Sequence, residues 1–219
     1  MTQVFDPVAD DYDRWYDTPK GLAIFRAETE CLRRLTGKCP GRWLEVGVGT
    51  GRFAAALGVT DGVDPSAPMR ALAERRGIRT THGSGESLPY PDQSFDGILT
   101  TTTLCFLADP QKSLQECERV LKDAGCLIVG LVPADSPWGR LYQRKAAEGH
   151  PLYSAATFYS SDEAVRLAAV AGFRLQQAFS CLLSPPESVA RDEEPHEGIV
   201  PDAGFVAMAF AKTSSDRPD

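Results

Sequence analysis

Short apolar runs alternate with amphipathic stretches along most of the chain, the pattern of an α/β fold around a parallel sheet. The runs predict strands over 42–48, 60–63, 79–82, 95–101, 126–132, 173–183 and 204–212. The stretch 126–132 is apolar throughout, as a strand buried on both faces requires. Helices are expected over 20–36, 52–57, 66–76 and 110–121. In the first, Leu22, Ile24, Phe25, Leu32 and Leu35 supply an apolar side, and in the last Leu114, Cys117, Val120 and Leu121 share one face. Cys39-Pro40-Gly41 breaks the first helix and Gly77 ends the third. Ser160, with Glu163 three residues on, marks a further helix start, and Gly172 stops it.

Between these elements lie segments of other character. Residues 1–36 read as an N-terminal helical arm with Tyr12, Trp15 and Tyr16 interleaved among polar residues. Residues 133–159 mix glycine, proline, aromatics and one histidine, and read as a partly helical insertion. Residues 184–202 are rich in proline and acid and read as a loop, and 213–219 as a disordered tail. Of the 219 residues, 42% are apolar, enough to bury one sizeable core, so 1–212 are expected to form a single domain.

Charge narrows the choice of partner. The formal charge is −7 and no basic stripe is visible, so no nucleic-acid partner is expected. No apolar run approaches the ~20 residues of a bilayer span, and residues 1–13 carry aspartates but no basic residue. The expected location is cytoplasmic, with no membrane partner. Cys31, Cys39, Cys105, Cys117, Cys126 and Cys181 form no C-x-x-C pair. Most sit in apolar strings, where a free cysteine acts as a small hydrophobe, and no metal site is expected.

The strongest chemical signal is Leu44-Glu45-Val46-Gly47-Val48-Gly49-Thr50-Gly51-Arg52-Phe53. A buried strand runs into a glycine turn that opens a helix. Glycine permits positive φ and close approach of a ligand to the main chain, and the helix start offers free N–H groups. Such a turn holds a nucleotide-like ligand at the carboxyl edge of the strand. The spacing is G-x-G-x-G with Arg52 following, not the G-x-G-x-x-G of dinucleotide sites. It suits a ligand without a pyrophosphate.

Glu45-x-Gly47-x-Gly49-Thr50-Gly51 resembles the first motif of class I S-adenosylmethionine-dependent methyltransferases. Gly62-Val63-Asp64-Pro65-Ser66 resembles their second motif. The run from Gly83 and Gly85-Glu86 through Leu88-Pro89, Asp92 and Ser94-Phe95-Asp96 resembles a third. Glu118-Arg119-Val120-Leu121-Lys122 resembles the passage before the fifth strand. The arm Phe5-Asp6, Ala9, Tyr12-Asp13 and Trp15 is also similar, and the whole resembles the type 11 branch. The resemblance implies a Rossmann-like three-layer sandwich with a mostly parallel seven-stranded sheet, order 3-2-1-4-5-7-6, strand 7 antiparallel. It implies S-adenosyl-L-methionine as cofactor and S-adenosyl-L-homocysteine as product. Gly47, Gly49 and Gly51 would admit the methionine part, which Glu45 would orient. Asp64, followed by Pro65, would accept from both ribose hydroxyls. Met69 would pack on the adenine, Gly85 and Glu86 would read its edge, and Thr101 and Thr102 would line the floor near the sulfonium.

The sequence departs from the family pattern in three places: Gly85 stands where alanine is usual, Ala124 replaces a proline, and the passage Thr101-Thr102-Thr103-Leu104 lacks the common histidine. The expected acceptor is a small or medium organic molecule, and the expected state a monomer or homodimer. A general base is needed only if the nucleophile must lose a proton. Tyr12, Tyr16, His150 and Tyr153 are the candidates, with Tyr142, Tyr159 and His196 behind them. Two alternatives are a thiol- or metalloid-directed methyltransferase using Cys31, Cys39, Cys105 or Cys181, and a non-catalytic S-adenosylmethionine-binding protein.

Overall fold

The computed structural model describes residues 4–188 and 193–213, so all but the first residue of the expected tail lies outside the described residues. Among the described residues eight strands form one sheet: β1 (Trp43–Val46), β2 (Asp61–Asp64), β3 (Arg79–His82), β4 (Phe95–Thr101), β5 (Leu121–Leu131), β6 (Phe173–Cys181), β7 (His196–Glu197) and β8 (Phe205–Lys212). The order is β3-β2-β1-β4-β5-β8-β6-β7. β1 to β5 pair in parallel, and β8 runs antiparallel between β5 and β6. This is the expected order with one addition, the two-residue β7 on the outer edge of β6. A strand of two residues has no periodicity to read in a sequence.

Helices cover both faces. α2 (Pro19–Thr36) and α3 (Arg52–Leu57) pack on one, and α5 (Pro110–Val120) and α7 (Ser161–Val170) on the other. α4 (Ala67–Arg75) lies against β2 and β3, α1 (Ala9–Trp15) belongs to the arm, and α6 (Pro137–Ala147) follows β5. Neighbouring residues of β5 serve the two layers in alternation. Leu127 and Val129 join the core under α5 and α7, while Cys126 and Ile128 join the core under α2. Helix starts are written locally. Thr18, Ser66, Asp109, Ser136 and Ser160 each accept a backbone N–H with their side chains, and a proline follows within two helical positions in all but the last.

Two expectations are corrected. β5 begins at Leu121, not at 126, because Leu121 pairs with Phe95 before the polar stretch from Lys122 bulges away and Cys126 resumes beside Gly97. The six cysteines are not all separate apolar fillers. Cys39 and Cys126 form a disulfide between the turn after α2 and β5, while Cys31, Cys105, Cys117 and Cys181 are free. The bonded pair is 87 residues apart in sequence, and only the folding of α2 over the sheet brings them together. Among the described residues no helix is long and apolar enough to cross a membrane.

Candidate functional site

β1 ends at Val46 and the chain turns through three left-handed glycines, Gly47 (φ +71°), Gly49 (+52°) and Gly51 (+78°). The turn is fixed to β2, since the N–H groups of Gly47 and Val48 both donate to the Val63 carbonyl at 2.9 and 3.1 Å. A Cβ on Gly47 would sit 2.3 Å from Thr103 Cγ2, and one on Gly51 2.8 Å from Ala73 Cβ. Each position is thus closed to side chains by conformation and by space.

Asp64, at the end of β2, draws the parts together. Its Oδ2 accepts from Gly49 N at 2.9 Å and its Oδ1 from Ser66 N at 2.8 Å. Burial raises its pKa, and these two N–H groups oppose the rise. Glu45 lies deeper, 2% exposed, and its Oε2 has no hydrogen-bond partner among the described residues. Burial pushes its pKa well above the usual carboxylate range against one backbone N–H, that of Ala54. Thr102, just past the end of β4, holds a left-handed φ of +51°, uncommon for a β-branched residue. Its N–H donates to Gly130 O at 2.8 Å and its hydroxyl to Thr101 O at 2.8 Å, which fixes that conformation.

These residues line a cavity of about 440 Å³ at the carboxyl edge of the sheet. Of the expected cofactor residues, Glu45, Gly47, Gly49, Asp64, Pro65, Met69, Gly85, Glu86, Thr101 and Thr102 all face it. Gly51 does not, being spent on the packing of α3 against α4. Glu86 has a second task, its Oε1 accepting from Ala108 N at 2.9 Å, just before the N-cap of α5. Gly85 is explained by Ser113, whose Oγ would lie 2.5 Å from an added Cβ.

The arm closes over this cavity. Ser66 Oγ donates to Asp6 Oδ1 at 2.6 Å, Arg52 and Arg76 both donate to Asp13, and Phe5 stacks edge-on against Phe106 at 4.9 Å. Beyond the arm lies a second cavity of about 380 Å³ between α2, the end of β5 and the segment 133–159. The two share Phe5, Tyr12, Tyr16, Thr102 and Phe106 as a common wall. Tyr142, His150, Tyr153 and Tyr159 line the second cavity, whereas His196 on β7 lines neither. Burial raises the phenols of Tyr12, to about 12, and of Tyr16 and Tyr142, so each is a proton-bearing wall group at neutral pH. Cys105 alone among the cysteines reaches a cavity, and burial pushes its thiol up to about 12, away from the nucleophilic thiolate.

Sequence reasoning missed Phe106 and above all Glu28, and placed Phe5 in the arm without a role at the site. Glu28 is 5% exposed, lines the second cavity and makes no hydrogen bond among the described residues. The signal was present, since Glu28 is four residues from both Ile24 and Leu32 and so lies on the buried stripe of α2.

The type 11 methyltransferase domain family matches residues 44–129. A solved S-adenosylmethionine-dependent methyltransferase of Thermotoga maritima, described as a possible histamine N-methyltransferase, is 35% identical. The alignment covers 97% of this chain and 99% of that one, with a TM-score of 0.89. The chain belongs to the class I S-adenosylmethionine-dependent methyltransferases. An uncharacterised protein of Mycobacterium tuberculosis is 41% identical over 95% of this methyltransferase and 73% of its own length. A demethylmenaquinone methyltransferase of Thermus thermophilus is 32% identical over 52% of this chain and 59% of its own. Membership implies S-adenosylmethionine as methyl donor, and the first cavity fits it. The unpartnered Glu45 Oε2 can take an ammonium, and Gly47 and Gly49 leave the main chain bare beside it.

Proposed function

We propose that the methyltransferase moves a methyl group from S-adenosylmethionine in the first cavity to a small or medium organic acceptor in the second, by in-line displacement. The observation that carries this reading is the common wall, because two cavities meeting at Thr102, Tyr12 and Tyr16 bring donor and acceptor face to face. In this reading Glu45, Gly47 and Gly49 hold the amino-acid end of the cofactor. Asp64 accepts from the ribose and Pro65 and Met69 pack on the base. Gly85 and Glu86 border its edge, and Thr101 and Thr102 floor the transfer point. The bound cofactor supplies an electrophilic methyl on a sulfonium. The protein's part is alignment and exclusion of water. The described part of the arm, residues 4–36, closes the first cavity, and the insertion 133–159 shapes the second.

The test is calorimetric titration of S-adenosylhomocysteine into the wild type and Asp64→Ala. The expected result is micromolar binding that the variant weakens by about ten-fold or more, worth about 1.4 kcal/mol. Absence of binding to the folded wild type would remove the reading.

A further inference from the structure

Among the described residues, the second cavity holds one carboxylate amid apolar and aromatic side chains. Glu28 projects from the buried stripe of α2, and Ile24, Leu104, Leu131, Leu152 and Phe158 form apolar parts of the surrounding wall. Around it stand the rings of Tyr12, Tyr16, Tyr142 and Tyr153. Tyr142 and Tyr153 stack with centroids 4.6 Å apart and planes inclined by 21°. The other titratable groups on the cavity are Lys145, His150, Cys105 and Tyr159. None of them pairs with Glu28. Lys145 Nζ instead lies 5.9 and 5.8 Å from the ring centres of Tyr142 and Tyr153, so those faces already hold a cation.

A carboxylate in such a place is costly. Burial alone raises its pKa to about 8, and no donor among the described residues offsets that. A leucine or glutamine at position 28 would serve the helix as well or better. What a lone acid in an aromatic chamber does well is meet a cation that arrives from outside.

We propose that the acceptor is a small amine with an apolar or aromatic body, bound in the second cavity with its nitrogen between Glu28 and the rings of Tyr12 and Tyr16. This rests on the methyltransferase reading above and adds the class of acceptor. The chemistry balances. An ammonium cannot attack a methyl group until it loses a proton, and Glu28 is the acceptor for that proton. The freed nitrogen lone pair forms the new N–C bond as the C–S bond breaks, with sulfur keeping the electron pair. The methylated ammonium leaves, and Glu28 returns its proton to solvent. Desolvation lowers the amine's pKa and raises that of the acid, so the two sit close enough to share one proton.

The experiment uses the whole protein saturated with S-adenosylhomocysteine. A panel of alkylamines and arylalkylamines, from propylamine to phenethylamine and tryptamine, is titrated by calorimetry beside the matching neutral alcohols. The same titrations are run on Glu28→Gln. At least one amine is expected to bind the wild type about ten-fold or more tighter than its alcohol. Glu28→Gln is expected to lose that preference while keeping its affinity for S-adenosylhomocysteine. Equal binding of amines and alcohols, binding of neither, or a preference that survives in Glu28→Gln would each overturn the proposal. The amine-to-alcohol ratio is read on the wild type, so a misfolded variant does not spoil the test. Failure of S-adenosylhomocysteine to bind would be seen first and would strike the underlying methyltransferase site instead.

Discussion

Arg52 Nε donates to Asp13 Oδ1 at 2.8 Å, joining the first residue of α3 to the arm that covers the first cavity. The same carboxylate accepts from Arg76 Nη2 at 2.8 Å, and Arg76 also donates to Thr50 O within the glycine turn. One acid therefore clasps the arm, the turn and the end of α4 together. Burial works against the Asp13 anion, but the hydrogen bonds from Arg52 and Arg76 overcome it and bring its pKa down to about 2. A depressed acid contributes stability above its unfolded pKa of about 3.9 and loses it as pH falls toward the folded value.

Asp13→Asn should loosen this clasp. The expected outcome is a dissociation constant for S-adenosylhomocysteine raised about three- to ten-fold, with about 1–2 kcal/mol of stability lost at neutral pH. Calorimetry and thermal unfolding read the two effects separately. A lower melting temperature with unchanged affinity would mean that the arm fastens the fold without covering the ligand.

Gly85→Ala should cost about 1–3 kcal/mol by overpacking, because the new Cβ meets Ser113 Oγ at 2.5 Å and Leu107 and Val46 at just over 3 Å. Adding Ser113→Ala removes the nearest obstacle, and the double variant should recover part of the loss. Chemical denaturation of the four proteins in the cycle measures the coupling. Simple additivity of the two single changes would refute the account of why glycine stands at position 85.

Glu28→Gln should stabilise the ligand-free protein increasingly as pH rises from about 4.5 to about 8. A folded acid whose pKa is raised binds more protons than the unfolded chain in that window, so wild-type stability falls with rising pH there. The variant has no such slope at this site, and the difference between the two isolates Glu28 from His150, Lys145 and the tyrosines. A difference that stays flat between pH 5 and pH 8.5 would exclude an ionising group buried without a partner.

Much of the fold was legible because each signal was local. The apolar run through Ile128 marks a central strand, the glycines after Val46 mark the turn, and Ser160 with Glu163 writes its own helix start. The first cavity was legible for the same reason, as Glu45, Asp64 and Glu86 each sit in a short motif at the end of a strand or in the loop beyond. The second cavity was less so. Tyr142 and Tyr153 meet Glu28 only because α2 and the segment after β5 fold to the same side, and no spacing records that. The Cys39–Cys126 bond was hidden likewise, and Gly51 looked like a ligand contact although its neighbour is Ala73.

The common wall has a consequence for how this enzyme and its relatives can diverge. Tyr12 and Tyr16 border both chambers, so under the proposed seating of donor and acceptor a change in either ring alters both seats at once. Tyr142, His150 and Tyr153 border only the second. Under that proposal, new acceptor preferences can accumulate in the segment after β5 without disturbing the donor, and the arm is the part of the molecule with the least freedom to drift.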